Sequence, residues 1–338
     1  MTDRQKLAGI INRVTRPLLP LYPSPLVFAE EFVAVADGHV LHVRQSGHPQ
    51  GRVALVLHGG PGSGCSPLLA RFFDPARFRV VCLDQRGAGR SRPAGETAHN
   101  TTAHLLDDLR RLRAHLGIER WLVVGGSWGA TLALAHALDA PEVVAGLLLR
   151  GVFLARDEDI DGFFAAAEGM RPRTWARWWQ RAAAGGVSPL DALAARLQDD
   201  SVSWRRRAAR LWWLAERDLS DATAAAVLPD AATLDALVPR YRIQAHYLRH
   251  RCWLDAPPLL DRCAALPRVP TLLLHGSRDR VCPPAGAAAL HARLRHAGLH
   301  WVDEAGHDPA HPAMVDAMVR ALDAYADRST FDTVAGTP

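Results

Sequence analysis

The run Trp121–Ala135 leaves this chain few ways to fold. It opens with Trp121-Leu-Val-Val124, four apolar and partly β-branched residues that read as a buried strand. It closes in Ala130–Ala137, an alanine and leucine run that favours helix. Between them stands Gly125-Gly126-Ser127-Trp128-Gly129. A chain that turns from strand into helix in so little space has no room for a Cβ two residues before or after the serine. The hydroxyl is then left clear of the backbone at a helix N-terminus, which favours developing negative charge. That is the setting of an activated serine nucleophile. A glycine-bounded turn with an idle serine is the alternative, and the rest of the chain weighs against it.

Strand and helix alternate on both sides of this turn. Asp37-Gly38 between Phe32–Ala36 and Val40–Gln45 signals a hairpin. Arg52–Leu57 reads as a strand running into the glycine-rich stretch His58-Gly-Gly-Pro-Gly-Ser-Gly64, whose amides can face a substrate. The oxyanion donors are expected to be the amide of Gly60 in this loop and that of Trp128, just after the nucleophile. Phe78–Leu83 is another strand, and Asp84 behind it suits a turn bonded to its own loop amides. Leu105, Leu109, Leu112 and Leu116 recur at helical spacing in Thr102–Leu116. Val144–Leu149 is the strand after the central helix, and the rhythm predicts a mostly parallel sheet covered by helices.

From about residue 154 to 265 this rhythm stops. Seven of the ten tryptophans fall there, among alanine- and arginine-rich helical stretches. An inserted helical cap is expected, dividing the chain into core (1–153), cap (154–265) and core again (266–338). Such a cap belongs above the C-terminal ends of the strands, where open α/β sheets bind ligands. Most of its tryptophans are expected in the core of the cap and a minority in the pocket. The sheet resumes at Pro270–His275 and ends with Leu299–Val302. Asp279 follows the first of these strands and His307 the second, completing the chain order serine, acid, histidine. Asp303 and His311 are the alternatives for acid and base.

Charge and composition narrow the partners. Lys6 is the only lysine, so the net charge of +5 is carried by scattered arginines, and Arg205-Arg206-Arg207 reads as a solvated helix face rather than a nucleic-acid site. No apolar run is long enough to span a membrane. Met1–Pro20 lacks the apolar centre and small-residue cleavage site of a signal peptide; a short helix and an extended arm are expected over residues 1–25. Five irregularly spaced cysteines suit reduced thiols in a cytoplasm-like compartment, and no metal-ligand spacing is present.

Together these residues resemble the prolyl aminopeptidases (proline iminopeptidases) of the α/β-hydrolase superfamily, from about Leu21-Tyr-Pro23 to about residue 325. The markers are His58-Gly-Gly-Pro-Gly62, Asp84-Gln-Arg-Gly87 with Gly89-Arg-Ser-Arg-Pro93, and Asn100-Thr-Thr102. Gly125-Gly-Ser-Trp-Gly129, Leu149-Arg-Gly-Val-Phe153, Asp279 with Val281-Cys-Pro283, and Gly306-His307 complete them. The resemblance implies an α/β-hydrolase fold and an exopeptidase that releases an N-terminal proline from short peptides or aminoacyl amides with a free N-terminus. It implies no metal and no organic cofactor. It also implies that cap glutamates hold the free amino group; Glu216 matches one of them, and Arg150 matches the arginine that orients it. Phe153, Trp128 and Cys282 match pocket positions, and Trp212 belongs to the stretch that aligns Glu216. Where the family has a second glutamate this chain has Gln244, which accepts a hydrogen bond but carries no charge. Ala103 and Ala215 stand in place of larger family residues, so the pocket is expected to be roomier and less negative on the cap side. A small-ester or amide hydrolase with a loosened cap, and a non-catalytic binding module on the same fold, remain as alternative readings.

Overall fold

The computed structural model describes residues 16–182, 187–220 and 227–331. Eight strands form one sheet: β1 (Val27–Ala34), β2 (Val40–Gly47), β3 (Arg52–Leu57), β4 (Phe78–Leu83), β5 (Trp121–Gly126), β6 (Val144–Arg150), β7 (Thr271–Gly276) and β8 (Gly298–Val302). Their order is β1-β2-β4-β3-β5-β6-β7-β8. The pairs β1–β2 and β2–β4 are antiparallel, and every other pair is parallel.

Successive side chains of these strands enter opposite cores, as the two-residue period requires. Leu55, Val81, Val123, Leu147 and Leu273 join one cluster with helices α1 (Thr102–His115), α2 (Trp128–Asp139) and α9 (Pro284–Arg293). Val56, Cys82, Val124, Leu148 and Leu272 join the other, with α10 (Pro312–Arg328) and the short turn Pro67–Phe72. Burial on both faces is why the central strands read as continuous apolar runs. From β3 the chain goes to β4 on one side and later to β5 on the other, so the winding reverses between β3 and β5. Ligands of open α/β sheets bind outside the strand ends at such a reversal.

The hairpin is longer than the sequence predicts. Its strands close at Ala34 opposite Val40, leaving residues 35–39 as the loop. Asp37 and Gly38 both take positive φ (62° and 75°), as the expected turn demands, and the amide of Val35 donates to His39 O at 2.9 Å. The expected N-terminal helix lies outside the described residues. Residues 16–26 carry no regular secondary structure and are tied to α10 by Leu19 N to Asp316 Oδ1 (2.7 Å) and by the Tyr22 hydroxyl to Asp323 Oδ1 (2.9 Å).

Between β6 and β7 the described residues are helical: α3 (Asp157–Met170), α4 (Pro172–Ala182), α5 (Pro189–Leu197), α6 (Val202–Leu219), α7 (Ala231–Arg249) and α8 (Leu259–Arg262). Trp175, Trp178 and Trp212 are buried within this layer. Among the described residues no helix is long and apolar enough to cross a membrane.

Candidate active site

Ser127 joins β5 to α2 with φ 58° and ψ −126°, a conformation that costs energy in a residue with a Cβ. Its amide donates to Arg150 O at 2.9 Å, which ties the turn to β6. A Cβ at Gly129 would lie 2.0 Å from Leu57 O, and one at Gly125 would lie 2.2 Å from Gly129 O. The two flanking glycines are therefore required by strand–helix contact. The amide of Trp128 is in the first turn of α2, where backbone donors have no partner within the helix.

The structure pairs buried Asp279 with His307, whose ring reaches the cleft that holds Ser127. His307 Nδ1 lies 2.7 Å from Asp279 Oδ2, while Asp279 Oδ1 accepts from the amides of Val281 (3.0 Å) and Cys282 (2.8 Å). Burial pushes the Asp279 carboxyl up, but His307, His275 and the Cys282 amide outweigh it and hold the group below its ordinary value. The Ser127 hydroxyl rests 3.8 Å from Cys282 Sγ, and among the hydrogen bonds of the described residues none joins it to His307. Both side chains line one cavity of about 370 Å³, so rotation of the serine about χ1 is the motion that would join them.

Gly59, Gly60 and Ser63 form one wall of that cavity. The loop that carries them is pinned through His58. His58 Nε2 accepts from the Gln85 amide (3.0 Å), Gln85 Nε2 donates to His58 O (3.0 Å), and Trp128 Nε1 donates to Gln85 Oε1 (2.8 Å). The indole of Trp128 is thus fully buried and points away from the cavity. Its expected place in the pocket wall is corrected: its ring braces the two loops against each other.

Phe153, Glu216, Gln244, Cys282 and Arg150 do line the cavity. Trp212 does not; it is fully buried, stacked on Tyr241 (5.3 Å, 19°) and edge-on to Phe164. Among the described residues no tryptophan between β6 and β7 reaches the cavity wall. The expected partnership of Arg150 with Glu216 is also corrected. Arg150 is buried at the end of β6 and donates to His307 O at 2.7 Å. Burial pushes its guanidinium down, with Asp279 partly offsetting this. The arginine on Glu216 is Arg240, whose NH2 donates to Glu216 Oε2 at 2.7 Å. The Tyr241 hydroxyl donates to the same oxygen (3.1 Å), and Gln244 Nε2 donates to Oε1 (3.0 Å).

Sequence reasoning missed Arg240, Tyr241, Gly151 and His275. Arg240 and Tyr241 sit four and three residues before Gln244, one face of a helix, and that spacing was the available signal. Gly151 follows β6 with φ 54°, and a Cβ there would lie 3.2 Å from His307 Cε1 and 3.3 Å from Asp279 Oδ2. His275, next to last in β7, is fully buried. It accepts from the Val152 amide (3.2 Å), and its other ring nitrogen meets Cys282 O (2.8 Å), so it steadies the acid loop as a neutral imidazole whose charged form burial disfavours. The remaining candidates lie elsewhere: Asp84 binds His42 and the amides of Cys65 and Arg90, Asp303 is exposed, and His311 precedes α10. Burial pushes the Cys282 thiol up, which keeps it protonated beside the serine. Among the described residues Asp37, His99 and His104 bring ligand atoms within 4.8 Å of one another. None of the three lines the cavity, and Arg86 already stands 3.3 Å from Asp37 Oδ2.

The sequence pattern of the α/β-hydrolase fold family matches residues 54–311. The chain is 38% identical over 315 residues to a proline iminopeptidase of Xanthomonas citri, covering 90% of this chain and 99% of that one. It is 34% identical over 322 residues to a probable proline iminopeptidase of Leptolyngbya boryana, covering 92% and 98%. Among solved structures, VinJ superposes with a TM-score of 0.66 at 21% identity, covering 89% of this chain and 99% of that one; this likeness shows the fold.

Proposed function

This chain belongs to the proline iminopeptidase family of the α/β-hydrolase fold, and on that premise we propose that it is a serine aminopeptidase releasing N-terminal proline from short peptides. One observation supports this reading above the others. The strained serine and His307 line a single largely apolar cavity beneath a helical cap, and buried Asp279, from a third loop, hydrogen-bonds the imidazole from behind.

In this reading Ser127 Oγ attacks the scissile carbonyl as His307 takes its proton, and Asp279 fixes the imidazole tautomer and balances its charge. The amides of Gly60 and Trp128 hold the oxyanion, worth about 2.7–4 kcal/mol per donor in comparable sites. His307 returns the proton to the departing amine, and water activated by the same imidazole clears the acyl-enzyme. Phe153, Ile160 and Cys282 enclose the pyrrolidine ring, while Glu216 and Gln244 take the hydrogens of the substrate's amino group. Arg150 holds the His307 backbone. Residues 154–265 act as a cap domain that closes over the first residue and limits removal to one residue per encounter. The five free cysteines suit a reducing compartment, and the cytoplasm is the proposed location.

A panel of proline, alanine and N-acetylproline anilides tests the reading, with Ser127→Ala as control. Wild type should prefer proline, and the variant should lose about 10⁴-fold or more in kcat. Turnover of an acetyl ester without cleavage of any aminoacyl anilide would remove the peptidase assignment.

A further inference from the structure

In the cap wall Glu216 already has a cation. Arg240 donates to one carboxylate oxygen together with the Tyr241 hydroxyl, and Gln244 donates to the other. Trp212 stacks on Tyr241, whose ring also lies 5.2 Å from the Arg240 guanidinium carbon, so the pair is held in place by packing. A substrate ammonium arriving here meets an ion pair of zero net charge. The attraction of Glu216 is opposed at nearly the same range by Arg240.

What this wall still offers is hydrogen bonding. Gln244 Oε1 and Arg240 Nε are both buried and have no partner, although Gln244 and Arg240 line the cavity. The carboxylate of Glu216 accepts only, which fixes the amide of Gln244 with its NH2 toward Glu216 and its oxygen unpartnered behind the cavity surface. One unpartnered acceptor and one unpartnered donor, four residues apart on α7, match a neutral group that carries one N–H and one C=O and that the two side chains would turn to meet. A five-membered lactam has both and keeps the ring size of proline.

We propose that Arg240 is a specificity-determining residue that makes this subsite rank N-terminal groups by hydrogen bonding rather than by charge, and that the chain hydrolyses N-terminal pyroglutamyl (5-oxoprolyl) amides as well as prolyl ones. The proposal rests on the aminopeptidase reading of the same site. The chemistry is unchanged. Ser127 Oγ bonds to the acyl carbon and the scissile C–N bond breaks with its proton supplied by His307. One water then splits the ester, releasing 5-oxoproline and restoring the serine.

The experiment measures kcat/KM for L-pyroglutamyl and L-prolyl p-nitroanilides, with p-nitrophenyl acetate alongside, in wild type and in Arg240→Met. Wild type should cleave both anilides. The variant, with Glu216 freed of its internal cation, should shift the ratio toward prolyl by at least about tenfold, mainly through KM. A loss of folded enzyme scales both anilides equally and leaves this ratio in place. Prolyl cleavage without pyroglutamyl cleavage in wild type would overturn the proposal and leave the aminopeptidase reading standing. Acetate turnover without cleavage of either anilide would overturn that reading itself. An unchanged ratio in Arg240→Met would remove Arg240 as the determinant.

Discussion

Around His307 the margins are tenths of an ångström. Its ring bonds Asp279 at 2.7 Å, its carbonyl is held by Arg150 at 2.7 Å, and the hydrogen atoms of Gly151 face the pair where any larger residue would place a Cβ. Gly151→Ala would put that Cβ 3.2 Å from His307 Cε1 while forcing alanine into a left-handed backbone. The expected result is a loss in kcat of about tenfold or more, since small misplacements of reacting groups are costly. A stability loss of about 1 kcal/mol should accompany it, and steady-state kinetics with urea denaturation separate the two. The paired positions of Ser127, Asp279 and His307 were legible because each follows a strand in a fixed chain order. The partner of Glu216 was not. An arginine 24 residues further on, on another helix, becomes its neighbour only when α6 and α7 pack.

At the scale of elements, α2 illustrates how the core sets chemistry. His136 lies on its buried face and accepts from Trp121 Nε1 at 3.1 Å. Burial pushes its imidazole down from 6.5 to about 4. Between those values the unfolded chain binds a proton that the folded chain refuses, so this stability is fully present above about pH 6.5 and is lost as pH falls toward 4. The whole effect is on the order of 3 kcal/mol. His136→Gln, which keeps an acceptor for Trp121, should flatten the pH dependence of the urea midpoint in that window, and an unchanged slope would assign acid sensitivity to other groups. The boundaries of β3 and β4 and the start of α1 were readable from periodicity, whereas β1 begins earlier than expected, at Val27. The stretch ahead of Phe32 holds Glu30 and Glu31, and pairing with β2 overrides their weak preference for strand.

Across the whole molecule, the helical stretch between β6 and β7 is fastened to the sheet at the loop before α1. The Tyr247 hydroxyl donates to Asn100 Oδ1 (2.8 Å), His246 Nε2 meets Asn100 O (2.9 Å), and Thr102 Oγ1 donates to Cys252 O (2.5 Å). Tyr247→Phe leaves the Asn100 oxygen buried without that donor. The expected cost is about 1–3 kcal/mol, read as a lower urea midpoint. A higher KM for anilides should accompany it if the fastening positions Gln244, which lies one turn earlier on the same helix.

Local sequence determined the serine turn, the alternation of strand and helix, and the order of the reacting side chains, because sterics and periodicity act between residues near in the chain. Tertiary structure alone decided that Trp128 and Trp212 turn inward, that Arg150 serves His307, and that Arg240 takes the charge of Glu216. A buried ring or ion pair goes to whichever partner the packed helices and strands bring within reach, and that distance has no signature in local sequence.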